Sequence, residues 1–228
     1  MRDLARINRE SEFSKAIRNT IEKIRPSKLI ETGTYQGMGS TALIASCLRD
    51  LGLKSEFFSI EANPTYVAMA KQNLSNLGLS DYVTLVNGLS IKRRYLPTKE
   101  ELKAKFVDQA GEFFCKNIYV DHDKDKRVDL YFRETNFPDV PDDMLKKCIQ
   151  SFCGKIDFLL LDSGGHLGEI EFDTAIRHII SPCMIALDDI YHVKHFNNFY
   201  NKIKGNTQFE IAYESREKFG FCIAFYYP

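Results

Sequence analysis

The chain has 228 residues, with 31 basic and 31 acidic side chains and a formal net charge of zero. That length suits one domain with an insertion, able to bury a core without disulfide staples. Neutrality argues against bulk electrostatic capture of nucleic acid or anionic membrane. No apolar run reaches the roughly 20 residues that span a bilayer.

In chain order, residues 8–25 carry Phe13, Ile17, Ile21 and Ile24 at helical spacing, and Pro26 closes the helix. A short apolar run, Lys28–Ile30, leads into GTYQGMGS. TALIASCLRDLG is helical and ends at Gly52. SEFFSIEANP reads as a strand and turn, TYVAMAKQNLSNLGL as a helix ending at Gly78, and YVTLVNGLS as a strand and loop. IDFLLLDSGGH and CMIALDDIY repeat the theme of an apolar strand ending in acids. FEIAYESREKFGFCIAFYYP predicts a terminal antiparallel hairpin around Ser215–Gly220.

Alternating strands and helices predict a doubly wound, Rossmann-like α/β domain with a mostly parallel sheet and an antiparallel C-terminal hairpin. FFSI, VTLV, FLLL and MIAL are near-continuous apolar runs, as strands covered on both faces should be. Ligands in such sheets bind beyond the carboxyl ends of the strands. Residues 1–228 are read as a single domain, with 93–150 as an insertion between the third and fourth core strands. Within it, Thr98–Cys115 is expected to be helical, and KNIYVDHDKDKRVDLYF alternates like a hairpin. Its DHDKDK tip lacks the glycine and terminal glutamate of an EF-hand, so it reads as a solvated turn. The insertion is expected to be a substrate lid or an oligomerisation arm.

The six cysteines, Cys47, Cys115, Cys148, Cys153, Cys183 and Cys222, form no CxxC pair. The N-terminus is too charged for a secretory signal. Reduced thiols in a cytoplasmic protein are the expectation.

Four constellations carry chemistry. In Glu31-Thr-Gly33-Thr34-Tyr35-Gln-Gly37-Met-Gly39-Ser40, glycines let a strand-to-helix turn approach a ligand closely. Glu31 at its base favours an ammonium group over a pyrophosphate, which points to S-adenosylmethionine before NAD. Glu61, ending the next strand, suits ribose hydroxyls. Asn87-Gly88-Leu89-Ser90 ends the third strand, where a base would lie. Asp162 with Asp188 and Asp189 gathers three carboxylates, a hard oxygen set for Mg²⁺ or another divalent cation. His166 is the candidate general base, with His192, Lys194 and His195 as competitors.

In this order and spacing, ETGTYQGMGS, SIEANP, VTLVNGLS, DFLLLD and ALDD resemble the class I S-adenosylmethionine-dependent methyltransferases. The likeness is to their cation-dependent, catechol O-methyltransferase-like group, with macrocin-type enzymes sharing the look. It covers Leu29–Ser90 and Asp157–Tyr191, a little under half the chain. The resemblance implies a cofactor set of Glu31, Gly33, Thr34, Tyr35, Gly37, Ser40, Glu61, Ala62, Gly88, Leu89, Ser90 and Asp162. It implies Asp162, Asp188 and Asp189 as metal ligands, and Asp162 and His166 at the reaction centre. The family's catalytic lysine has no counterpart near Gly165, and the long insertion is foreign to the catechol enzymes. The expected activity is O-methylation of a small-molecule hydroxyl, assisted by a divalent cation. The alternatives are a metal-independent transfer using a histidine base and a non-catalytic cofactor-binding module. Neither membrane nor nucleic acid is an expected partner, and a homodimer is left open.

Overall fold

The computed structural model describes residues 10–108, 124–164 and 166–228. Seven strands form one sheet: β1 (Lys28–Thr32), β2 (Glu56–Glu61), β3 (Thr84–Asn87), β4 (Phe158–Leu161), β5 (Cys183–Asp188), β6 (Phe209–Ser215) and β7 (Phe221–Tyr226). Their order is β3-β2-β1-β4-β5-β7-β6, parallel from β3 to β5 and antiparallel at β7 and β6. The doubly wound sheet and terminal hairpin are therefore as expected. The order reverses between β1 and β4, so the loops that follow these two strands part over a crevice.

The helices are α1 (Glu12–Ile24), α2 (Ser40–Asp50), α3 (Pro64–Asn76), α4 (Lys99–Asp108), α5 (Lys124–Thr135), α6 (Met144–Ser151) and α7 (Gly168–His178). Alternate residues of each central strand feed opposite faces. Phe158 and Leu160 pack with Ile17 and Ile21 of α1 and with Ile44 and Leu48 of α2. Leu159 and Leu161 pack with Leu145 and Ile149 of α6 and with Phe172 and Ala175 of α7. β4 is buried at every residue, whereas β3 is only half-buried. The run VTLV predicts a strand covered on both faces, but β3 lies at the sheet edge and lacks a neighbour on one side.

Asn63 caps α3 by accepting from the Thr65 N–H at 2.9 Å, and Pro64 stands at the first turn, where its missing N–H costs nothing. Cys47, Cys148, Cys183 and Cys222 are buried thiols. Burial pushes the Cys183 and Cys222 thiols up to about 12, so both remain protonated. No helix among the described residues is long and apolar enough to cross a membrane.

The insertion differs from its expectation. The alternation of RVDLYF predicts a strand, but Lys124–Thr135 is helical. Val128 and Tyr131, three apart, share one helix face and pack with Leu102 of α4 and with Val193. The long-range partner decided between two periods that six residues cannot separate. The first half of the expected hairpin, the tip through Asp123, Cys115 and the end of the Thr98–Cys115 helix lie outside the described residues. The last stretch assigned to the insertion, α6, packs in the core. Backbone bonds zip its two stems together: Leu89 N–H to Pro141 O at 2.8 Å, Asp143 N–H to Ile91 O at 3.0 Å and Leu145 N–H to Ser90 O at 2.9 Å.

Candidate active site

The strand ends of β1, β2, β3 and β4 converge on one cavity of about 540 Å³. Gly33, Tyr35, Glu61, Ala62, Gly88, Ser90 and Asp162 of the expected cofactor set all line it. Gly33 has φ +89, and a Cβ there would stand 2.2 Å from the Asp162 carbonyl oxygen. Only glycine allows the β1 and β4 ends to meet so closely. Glu61 accepts the Tyr35 N–H at 2.7 Å and the Asn63 N–H at 2.8 Å. Burial pushes its carboxyl up, and these two N–H groups pull it back part of the way.

The rest of the expected set lies behind the wall. Glu31 is fully buried; one oxygen accepts from Thr41 and Ser59, each at 2.6 Å. Its Oε1 has no hydrogen-bond partner among the described residues. Burial pushes Glu31 up to about 7, with nearby hydroxyls pulling the other way. Thr34 is buried and bonded to Ser59 at 2.6 Å, Gly37 packs on Ala70, and Ser40 and Leu89 are buried. None of these five is among the residues that line the cavity.

Asp162, Asp188 and Asp189 come together as expected, with ligand atoms within 4.8 Å of one another. The ammonium of Lys194 stands among them, 2.7 Å from Asp162 Oδ1 and 2.9 Å from Asp189 Oδ2. Burial pulls Lys194 down, but the three carboxylates push harder and hold it well above its ordinary value. Burial pushes Asp189 up, yet Lys194 outweighs it and keeps that carboxyl below the usual range. Asp188 is pushed well up, by burial first and by its acidic neighbours second. Burial pushes Asp162 up as well, with Lys194 pulling the other way.

His192 and His195 stay close enough to act on Asp189, whereas His166 is packed elsewhere. His166 is buried, its ring stacked on Tyr131 at 5.2 Å and its Nε2 3.4 Å from the Thr135 hydroxyl. It joins the loop after β4 to the insertion and is not on the cavity wall. His195 is wholly buried between the Leu161 carbonyl at 3.1 Å and the Asn198 amide at 3.0 Å. Burial pushes it down to about 3, so it is a neutral structural ring with both nitrogens occupied. Gly165 lies outside the described residues.

Sequence reasoning passed over several groups. Glu171 is buried on α7 and accepts from Thr32 at 3.0 Å and Ser163 at 2.6 Å. Its signal was an acid beside Phe172 and three residues before Thr174–Ala175, on the buried side of the helix. Tyr66 on α3 and Leu130, Arg133 and Glu134 on α5 complete the cavity wall, and no local motif announces them.

No family model matches the chain. Catechol O-methyltransferase B of Danio rerio is 31% identical over 107 residues, which is 47% of this chain and 36% of that protein. The match therefore spans little more than a third of the relative's length. A candidate O-methyltransferase from Klebsiella pneumoniae superposes with a TM-score of 0.59 at 14% identity, over 97% of this chain and 83% of that one. The O-methyltransferase TomG from Streptomyces achromogenes, in complex with SAM, gives 0.54 at 13% identity, over 95% and 80%. The Bacillus cereus O-methyltransferase in complex with SAH gives 0.56 at 16% identity, over 95% and 82%.

The chain has the class I methyltransferase fold. The resemblance read from the motifs thus holds at the level of the fold. Within this methyltransferase fold, the observed cavity suits the cofactor that the fold family implies. It has the volume, a carboxylate at the end of β2 and small residues at Gly33 and Gly88. A divalent cation fits less well. The donor oxygens are of the right type, but an ammonium already bridges two of the three carboxylates.

Proposed function

We propose that the protein is an S-adenosylmethionine-dependent methyltransferase acting on a small-molecule hydroxyl. The observation that carries this reading is the gathering of Gly33, Tyr35, Glu61, Gly88, Ser90 and Asp162 around one cavity at the strand-order reversal. Bound there, S-adenosylmethionine supplies a methyl group on a positively charged sulfonium, which a wall carrying Glu61 and Asp162 favours.

The residues divide the work by position. Glu61, fixed by the Tyr35 and Asn63 N–H groups, presents a preorganised acceptor for ribose hydroxyls. Gly88 and Ser90 close the side after β3, and Arg133 and Glu134 of α5 close the mouth. Asp162 lines the same cavity, and Lys194 holds its carboxylate in place. It is the group set to take the proton from an acceptor hydroxyl as the C–S bond breaks and the new C–O bond forms. Holding the two reactants in line is the larger part of the rate gain. His166 takes no part in the proton transfer; it holds the loop after β4 against the insertion. No step here uses a divalent cation.

Titration calorimetry with S-adenosylmethionine tests the first half, and the reading is abandoned if no heat is seen at millimolar cofactor. Transfer of labelled methyl to a panel of phenols, catechols and sugar alcohols tests the second half. Asp162→Asn should lower turnover about 100-fold or more while cofactor affinity changes less.

A further inference from the structure

We propose that Lys194 is a built-in cation, taking the place that a divalent metal would hold among Asp162, Asp188 and Asp189. The methyltransferase reading above gives this site its role in transfer; the placement of Lys194 stands on geometry alone. Its Nζ lies 2.7 Å from one carboxylate and 2.9 Å from a second. A dication bound through the same oxygens, at about 2.0–2.6 Å from each, would stand within roughly 4 Å of Nζ. At that separation the two positive charges repel strongly in a half-buried site.

The side chain also has little freedom to step aside. It is 4% exposed. Its stem and backbone press on the start of α7, where a Cβ on Gly168 would meet the Lys194 carbonyl oxygen at 2.4 Å and its Cγ at 2.8 Å. On one side, Val193 is anchored in the apolar cluster with Leu102, Val128 and Tyr131 of the insertion. On the other, His195 is tied to Leu161 and Asn198. The insertion thus packs against the loop that carries the lysine. A chain that needed a metal here would gain nothing from a buried ammonium in its place.

The test uses the EDTA-washed full chain without cofactor or acceptor, and Mn²⁺ alone as the probe. Free Mn²⁺ is read by its electron paramagnetic resonance signal, with thermal melting in parallel. The wild-type chain should leave Mn²⁺ free up to about 1 mM and melt at the same temperature with or without it. Lys194→Met keeps an apolar stem and removes the charge. It should bind Mn²⁺ at least about tenfold more tightly and melt higher when Mn²⁺ is present. Wild-type binding below about 100 μM would overturn the proposal, as would a folded Lys194→Met that binds no better than wild type. If Lys194→Met does not fold, Lys194→Gln is read in the same way, and the wild-type arm decides by itself. Calorimetry with S-adenosylmethionine on the same wild-type sample reports separately on the cofactor: its failure would remove the function proposed above and leave the place of Lys194 standing.

Discussion

Glu31 at the end of β1 and Asp162 just after β4 belong to neighbouring parallel strands, yet the chain meets their charges in different ways. Around Glu31 there are hydroxyls, and burial pushes its carboxyl up to about 7. Around Asp162 and Asp189 there is the ammonium of Lys194, and Asp189 stays below the ordinary carboxylate range. Burial raises Asp162 as well, even with Lys194 at 2.7 Å, so the ammonium outweighs burial at Asp189 and offsets only part of it at Asp162. One side of the strand-order reversal is thus met by hydroxyls and the other by a lysine.

The largest break in this comparison is removal of the lysine. Lys194→Ala leaves two carboxylates facing each other with no counter-charge, and breaking a buried pair in this way usually costs about 3–5 kcal/mol. Asp162 and Asp189 keep 24% and 26% of their side-chain exposure. Water therefore offsets part of the loss, and about 2–4 kcal/mol is expected by urea denaturation at neutral pH. The loss should shrink in acid as the carboxylates protonate. A change below about 0.5 kcal/mol would show that the ammonium is not what balances the cluster.

The next test works on the other side. Glu31 has a folded value near 7 against an ordinary 4.5, so between these pH values the folded chain binds its proton more tightly than the unfolded chain does. Stability then falls as pH rises through that window and levels off above 7, by up to about 3 kcal/mol. Glu31→Gln removes the titration. The variant should match wild type near pH 4.5 and exceed it at pH 8 by about 2–3 kcal/mol. Parallel pH profiles for the two proteins would refute the assignment.

The comparison also shows what a linear reading reaches. The sheet, the hairpin and the sites after β1, β2 and β3 were legible because each rests on local signals: apolar strands, glycines at turns, an acid at a strand end. The Asp162, Asp188 and Asp189 cluster was legible because parallel neighbours must bring β4 and β5 ends together. Lys194 was visible only as a rival base. Its partner Asp162 lies 32 positions away, and no spacing rule links them. The same holds for Arg133 and Glu134, whose place on the cavity wall depends on how the insertion packs. α5 was misread because Val128, Leu130 and Phe132 alternate while Val128 and Tyr131 make the contacts that decide.

A third break joins the two sides at their point of contact. Gly33 lies against the Asp162 backbone with φ +89. Gly33→Ala adds both left-handed strain and a clash, together about 1–3 kcal/mol. The clash is with backbone, so a rotamer change cannot relieve it. The β1 loop must move away from β4, and cofactor affinity should fall at least about tenfold in calorimetry. A variant with unchanged affinity would mean that the cavity does not depend on this contact.

The smallest effect is expected at Glu61, which is met in a third way, by two backbone N–H groups. Glu61→Gln keeps one acceptor oxygen and turns an amide donor toward the other N–H. One charge-assisted hydrogen bond is lost, about 1 kcal/mol of stability. The same change removes an acceptor offered to ribose, so affinity for S-adenosylmethionine should drop on the order of tenfold. Glu61→Asp keeps the charge but shortens the reach by one methylene. It should retain the stability pattern of an acid while losing cofactor affinity. If both variants bind the cofactor as wild type does, the carboxylate at the end of β2 serves only to cap the turn before α3.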